Sequence, residues 1–370
     1  MTLRPEDWKA WLAGAYFRGY ALMKGGRLRE ADELFRELQQ RADEKIPGKV
    51  ITSRIRRLHG EVLLGLSDAR GRDLILRVLH DLGGVNPHID KGDDEDKERA
   101  RLASDLCRSL SSIGEHDKAI LLMRRVCERV VKDPELEALR WSNLASWYNQ
   151  RAVVWRAAED RRRARDDLDF AAKHAADAIV RRDQLKSVLA HDQSLERREC
   201  KAIELSIRIE RSWLGAADLP DTVNELCDLL RETPDFDSAA ETPLQLAYRV
   251  GRLGTAHMRE KANGAVRSTN LARASSYLRY AWEYSRNVPL RPWLALDLCS
   301  ALEARHQHDD ARVVAEASLR RLEPACGKNY PPNVRLREHC QAIRPRERVS
   351  RSKAAKPDAK PIRRRAPRRK

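Results

Sequence analysis

Residues 102–119 and 294–311 are two copies of one segment, set 192 positions apart. Nine of the eighteen positions are identical: Leu102/Leu294, Ala103/Ala295, Asp105/Asp297, Leu106/Leu298, Cys107/Cys299, Leu110/Leu302, His116/His308, Asp117/Asp309 and Ala119/Ala311. The leucines recur every four residues, which puts them on one face of a helix. The shared His-Asp pair then marks a turn into a second helix. A helical hairpin of this kind cannot bury its apolar face alone, so a duplicated hairpin implies stacking on its neighbours.

The rest of the chain obeys the same rule. Helical periodicity runs almost throughout, and no stretch alternates β-branched or aromatic residues with polar ones, so no sheet is expected. Breaks fall at Gly25-Gly26, Pro47-Gly48, Asp68 to Gly71, Gly83-Gly84, Gly114, Asp133-Pro134, Leu219-Pro220, Thr233-Pro234, Asn263-Gly264, Pro289 and Pro324 to Pro332. They divide the chain into about fifteen helices, read as 5–23, 27–44, 49–66, 71–82, 94–112, 116–132, 135–158, 161–185, 192–213, 220–232, 238–262, 268–286, 291–305, 308–323 and 331–342. Aromatic residues make up only 5% of the chain, a proportion suited to an Ala/Leu-rich helical array.

A third copy of the frame lies near the start. Gly19 stands where Cys107 and Cys299 stand, and Ala31 follows twelve residues later, as Ala119 and Ala311 do. Phe35 and Met123 then fill the space beside the small residue; the third copy has Ala315 there. This resembles the tetratricopeptide repeat, whose unit reads W-x2-L-G-x2-Y…A-x3-F…P. Ala15, Ala103 and Ala295 stand at the family's Trp position, and Leu22, Leu110 and Leu302 at its Tyr position. Gly19 and Cys107 are 88 residues apart, two units of 44 rather than 34, so longer helices or inserted turns are expected. Ala172-x-x-x-Ala176 and Ala274-x-x-x-Leu278 read as further second-helix faces, and Pro134 and Pro324 as unit ends. The resemblance implies an all-α, right-handed α-solenoid of about seven irregular helix-turn-helix repeats over residues 1–343. It also implies that first helices line a concave groove.

Candidate chemical sites are few. There is no phosphate-binding Gly-x4-Gly-Lys-Ser/Thr loop, no nucleophile elbow and no His-Glu-x-x-His. The acidic run Asp90 to Glu98 lacks the alternation of a calcium loop and reads as a loop and helix start. His306-x-His308 with Asp309 and Asp310 sits in a repeat turn and reads as a polar turn. His339-Cys340 has no orienting acid. Seven cysteines, an odd number without a C-x-x-C pair, read as free thiols of a reducing compartment. No apolar run approaches the roughly 20 residues of a membrane span, and the first residues lack a signal-peptide pattern. The expectation is a non-enzymatic chain without cofactor or metal, cytoplasmic in location, or nuclear in a eukaryote.

Two segments suggest partners. On the helix at 135–158, Trp141, Tyr148 and Trp155 form a stripe with Leu144, Ala145 and Ala152, read as core. Trp147 lies about 100° away, near Arg140 and Arg151 on an ideal wheel, and these three are the candidate partner-binding residues on an accessible surface. Arg156, Arg161, Arg162, Arg163 and Arg165, interleaved with acids, read as a solvated face. The second segment is 344–370, with 13 basic and 2 acidic residues, a net +11 of the chain's +16. Rich in Pro and poor in apolar residues, it reads as a disordered tail. Its Lys360, Arg363, Arg364, Arg365, Arg368, Arg369 and Lys370 are candidates for holding a polyanion through counterion release. The leading reading is a scaffold or adaptor that binds a protein or peptide partner in the groove. The alternative is a nucleic-acid-associated factor whose tail grips phosphate backbones without reading sequence.

Overall fold

Fifteen helices run among the described residues, and one turn, used repeatedly, joins them in pairs. The computed structural model describes residues 5–46, 48–87, 94–129, 134–183, 190–215, 219–231, 243–262, 265–266, 268–285 and 290–341. The pairs are α1 (Pro5–Lys24) with α2 (Leu28–Lys45), α3 (Val50–Gly65) with α4 (Arg70–Asp81), and α5 (Asp94–Ser112) with α6 (His116–Arg129). Then come α7 (Pro134–Ala157) with α8 (Arg161–Asp183), and α9 (Ala190–Ser212) with α10 (Leu219–Arg231). α11 (Pro243–Arg259) pairs with α12 (Ser268–Tyr284), α13 (Pro292–Ala304) with α14 (His308–Cys326), and α15 (Pro331–Gln341) caps the end. Seven hairpins and a final helix make an all-α array.

Five of the hairpins close identically. A residue in the left-handed conformation follows the first helix: Gly26 (φ 74°), Ser67 (62°), Gly114 (79°), Glu159 (61°) and His306 (60°). The next N–H donates five residues back: Arg27 to the Leu22 carbonyl, Asp68 to Leu63, Glu115 to Leu110, Asp160 to Trp155 and Gln307 to Leu302. This motif satisfies carbonyls that a helix end leaves open. Glycine marks only two of these five turns. At Ser67, Glu159 and His306 a side chain accepts the same backbone at a cost of roughly 1–2 kcal/mol.

The turn fixes the repeat frame. Three residues before each accepting carbonyl stands a small residue: Gly19, Gly60, Cys107, Ala152 or Cys299. Twelve residues beyond four of them stand Ala31, Ala119, Ala164 and Ala311, each at most 1% exposed. The helices cross so closely here that a Cβ on Gly19 would lie 2.6 Å from the Phe35 ring, and one on Gly60 2.9 Å from the Gly71 carbonyl. Cys299 Sγ donates to the Ala311 carbonyl at 3.5 Å. The α7/α8 hairpin thus joins the frame through Ala152, Ala164 and buried Leu168.

Three expectations change. The buried face of α8 is Ala164, Leu168, Ala171, Ala175 and Ala178, while Ala172 is half-buried and Ala176 exposed, so that face lies one residue earlier than expected. Ala274 and Leu278 are fully buried on α12. Pro324 does not end its unit but lies inside α14. The helix continues because its last turn is held from outside: Arg72 Nη1 donates to the Ala325 carbonyl at 2.8 Å, and Cys326 Sγ donates to the Ser112 carbonyl at 3.6 Å. Finally, α11 stops at Arg259, and a two-residue ladder pairs β1 (Lys261–Ala262) with β2 (Ala265–Val266). The strands flank Asn263-Gly264, a dipeptide favoured in two-residue hairpins; that pair, like the segment 344–370, lies outside the described residues.

The array folds back on itself. α14 touches α3 and α4, and α15 touches α7. At the seam, Arg72 also donates to the Ile113 carbonyl at 2.8 Å and to Glu115 at 2.5 Å. His116 is buried between Ser111, 3.1 Å from Nδ1, and the Tyr330 hydroxyl, 2.9 Å from Nε2. Ser111 gives its own proton to Gln150, so Nδ1–H donates to Ser111 and Nε2 accepts from Tyr330. Burial, with Arg151 nearby and Asp117 opposing, lowers the His116 pKa to about 4. No helix among the described residues is long and apolar enough to cross a membrane.

Two outcomes follow. Ala119→Trp, Ala164→Trp and Ala311→Trp should each destabilise by on the order of 1–3 kcal/mol, since each overfills a closed helix crossing; denaturant titration measures it. The His116 pKa in the folded chain lies below its unfolded value near 6.5, so the unfolded state takes up the proton first. The stability this group contributes is complete above that value and is lost as pH falls from about 6.5 toward 4. Roughly 1 kcal/mol should disappear between pH 7.5 and 5.5. The difference between the parent chain and His116→Gln, measured across that window, isolates the group.

Candidate functional site

The first helices of five successive hairpins turn one face inward, and between them lies a cavity of about 420 Å³. α5 contributes Ser104, Asp105 and Arg108; α9 contributes Glu199, Ala202, Ile203 and Ser206. α11 brings Tyr248, Arg249 and Arg252, and the start of α13 brings Arg291 and Trp293. α7 lies at the centre and gives the most, through Ser142, Asn143, Ser146, Trp147, Asn149 and Gln150. These spacings of three, four and seven are those of one helical face.

Polar side chains on a buried helix need partners. Gln150 Nε2 donates to Ser146 Oγ at 3.3 Å, and Gln150 Oε1 takes the Ser111 proton at 2.8 Å. Some residues of this wall keep a buried polar atom without a protein partner: the indole N–H of Trp147, the indole N–H of Trp293, and Oδ1 of Asn149. The side chains are 7%, 1% and 5% exposed, so bulk water does not serve them.

The far end is cationic and aromatic. The Arg252 guanidinium lies 3.9 Å from the centre of the Trp293 ring, and that of Arg291 4.2 Å from the Tyr248 ring. Such stacking holds the cation in place while leaving its N–H edges able to donate. Burial raises the Tyr248 pKa against the opposing pull of Arg291 and Arg321, so the phenol stays protonated.

Behind Arg252 lies a buried ion network. Glu210 of α9 accepts from Arg252 at 2.5 Å and pairs with Arg259 at 3.3 Å and Arg156 at 3.4 Å. Asp297 of α13 pairs with Arg156 at 2.7 Å and Arg259 at 3.7 Å, and accepts from Thr255 at 2.9 Å. Burial works against the Glu210 carboxylate, but Arg156, Arg259 and Arg252 outweigh it and hold the group far below the usual carboxylate range. Burial, reinforced by Arg156, pushes Arg252 below the ordinary guanidinium value, with Glu210 and Asp297 opposing. A second cavity, of about 660 Å³, lies on the other side of the network, with Arg156, Arg259 and Asp297 in its wall.

The sequence candidates are placed differently from expectation. Trp147 is 7% exposed and belongs to the central core, with one side on the cavity wall. Arg140 is 3% exposed. Arg151 is half-buried against Asp167 at 2.7 Å and also pairs with Asp117. The accessible surface expected for these three is therefore corrected. α7 packs against α5, α6, α8, α9 and α15, and none of its described side chains, 140–157, is exposed. The stripe expected to be core does face a neighbour: Tyr148 stacks on Phe170 and His174, and Trp155 Nε1 donates to Asp167 at 2.8 Å. Arg161, Arg162, Arg163 and Arg165 are exposed, but Arg156, read with them as solvated, is the centre of the buried network. Lys360, Arg363, Arg364, Arg365, Arg368, Arg369 and Lys370 lie outside the described residues.

Apart from Trp147, the cavity residues were not recognised in the sequence, nor was the network. The signal that could have found the network is a lone charge inside an apolar run: Asp297 within Leu294 to Cys299, and Glu210 after Ile207 and Ile209. The seven cysteines are free thiols; burial pushes the Cys326 thiol up to about 12. Among the described residues, no three His, Cys, Asp or Glu side chains gather as metal ligands.

No family model matches the chain, and no curated protein matches it. Among solved structures it is similar to a Rap protein complexed with competence and sporulation factor, at 12% identity and a TM-score of 0.49, covering 93% of this chain and 90% of that one. It is also similar to the TPR domain of P58(IPK), at 12% identity and a TM-score of 0.31, covering 93% of this chain and 99% of that one. The tetratricopeptide-like architecture rests on the hairpins themselves, on their shared turn and their small-residue crossings.

Glu210→Gln should destabilise the chain by on the order of 3–5 kcal/mol, because it leaves three guanidiniums around one carboxylate in a buried place. Chemical denaturation measures the loss. A change within error of zero would show that water reaches the network.

Proposed function

We propose that this chain is a non-enzymatic interaction scaffold that takes an extended peptide segment of a partner into its interior cavity. One observation carries the reading. Five first helices converge on one cavity, and its lining residues Trp147, Trp293 and Asn149 each keep a buried polar atom without a protein partner. A peptide backbone supplies both acceptors and donors at regular intervals, and it matches a wall of Ser, Asn and Gln better than an apolar ligand does. The cationic end, with Arg252 and Arg291 held on aromatic faces, favours an acidic side chain on that segment. The charged groups of the wall are stacked or ion-paired, an arrangement that recognises shape and charge.

Selection of short random peptides against the full-length chain tests the reading, followed by fluorescence anisotropy on the selected sequences. Bound sequences should be enriched in Asp and Glu. Ser146→Trp, which fills the cavity from α7, should abolish binding. Arg291→Ala should weaken acidic peptides about tenfold, roughly 1.4 kcal/mol, with the helical circular dichroism unchanged. Undiminished binding by Ser146→Trp would place the partner elsewhere on the array.

A further inference from the structure

The buried network carries more cations than anions. Three guanidiniums, Arg156, Arg252 and Arg259, share two carboxylates, Glu210 and Asp297. A net charge removed from water is costly unless something compensates it. Arg156 shows where the compensation is missing. Its Nη2 is buried and has no acceptor, and its Nε makes only a 3.4 Å ionic contact with Glu210.

Arg156 and Arg259 form part of the wall of the second cavity, of about 660 Å³. Its mouth adds Arg161 and Arg335. Arg161 is exposed, its guanidinium lies 5.5 Å from the centre of the Trp213 ring, and no carboxylate among the described residues pairs with it. Arg335 is 46% exposed and shares Glu159 and Glu338, both more exposed than itself. His339 is engaged by Glu303 at 2.7 Å. The acids of this cavity are therefore one solvated carboxylate, Glu159, and one already divided among arginines, Asp297. Trp213, Met258 and Leu296 complete one side with apolar surface.

We propose that this second cavity binds a small phosphate-class dianion, held by Arg156 and Arg259 at its floor and by Arg161 and Arg335 at its mouth. Guanidinium pairs match the tetrahedral oxygens of a phosphate, and burial strengthens each bond. The bound charge balances the excess cation of the network. The apolar side leaves room for the small organic body of a phosphate monoester.

The test uses the full-length chain, with inorganic phosphate and glycerol 3-phosphate as probes and chloride at equal ionic strength as reference. Tryptophan fluorescence and melting temperature are read together. Both should respond saturably to at least one phosphate probe and not to chloride; tighter binding of the monoester would identify an ester as the natural form. Arg161→Ala/Arg335→Ala, two exposed positions whose loss should leave the circular dichroism unchanged, should weaken binding at least tenfold. Trp213→Phe should remove most of the fluorescence response but retain the rise in melting temperature. Ser146→Trp, which fills the other cavity, should leave phosphate affinity unchanged, so the outcome does not depend on the peptide reading. No saturable response beyond chloride overturns the proposal. So does undiminished binding by the double variant, which would move the anion to the basic segment 344–370, and so does loss of phosphate binding in Ser146→Trp.

Discussion

Glu210 and Asp297 hold three arginines from two other helices, and the interior of the array is organised around that arrangement. Apolar contacts between helices are tolerant of sliding. A guanidinium bonded to carboxylates at 2.5–2.7 Å in a buried place is not, because every displacement exposes an uncompensated charge. The network therefore sets the spacing of α7, α9, α11 and α13. It also forms the partition between two cavities. Arg252 joins the network to the first cavity, with its guanidinium stacked on Trp293 of that wall and bonded to Glu210.

The two copies of the duplicated hairpin show how one position acquires two roles. Asp105 and Asp297 are equivalent, and both lie on the inward face of a first helix. Asp105 remains 39% exposed, pairs with Arg108 at 3.0 Å and borders the first cavity. Asp297 is 2% exposed and serves the network. The backbone frame is the same, so the difference comes from what the neighbouring hairpins present. α7 and α11 supply arginines to Asp297 at 2.7 and 3.7 Å, whereas Asp105 meets Arg57 of α3 at 3.4 Å and otherwise opens on a wall of amides and hydroxyls.

Closure of the array supports this interior from outside. Arg72 gathers carbonyls from Ile113 and Ala325, which are far apart in sequence, and His116 joins α6 to Tyr330 ahead of α15. These bonds bring the last hairpin back over the first ones. They also support α14 where it runs through Pro324: Arg72 of α4 donates to the Ala325 carbonyl, beside the helix's own bond from the Gly327 N–H to the Glu323 carbonyl.

The sequence by itself determined the helices, their pairing and the close crossings. Those follow from local rules: apolar spacing, turn residues and small side chains where backbones meet. Gly19 beneath Phe35 and the Cys107/Ala119 and Cys299/Ala311 pairs were legible for that reason. The turns at Ser67 and Glu159 were legible as breaks between helices but not as members of the series, because no glycine marks the left-handed residue; the hydrogen-bond pattern shows that they belong to it. Only the tertiary structure decided which charges are interior. Read along the sequence, Arg156 belongs to the run of Arg161, Arg162 and Arg163, and on a wheel Trp147 leaves the core stripe of α7. A wheel contains one helix, and burial is decided by how many others surround it. The described side chains of α7, 140–157, are enclosed by its neighbours, so its polar stripe became a cavity wall and Arg156 a buried counter-charge. The partners of that arginine, Glu210 and Asp297, lie 54 and 141 residues further along the chain, a separation that no local pattern encodes.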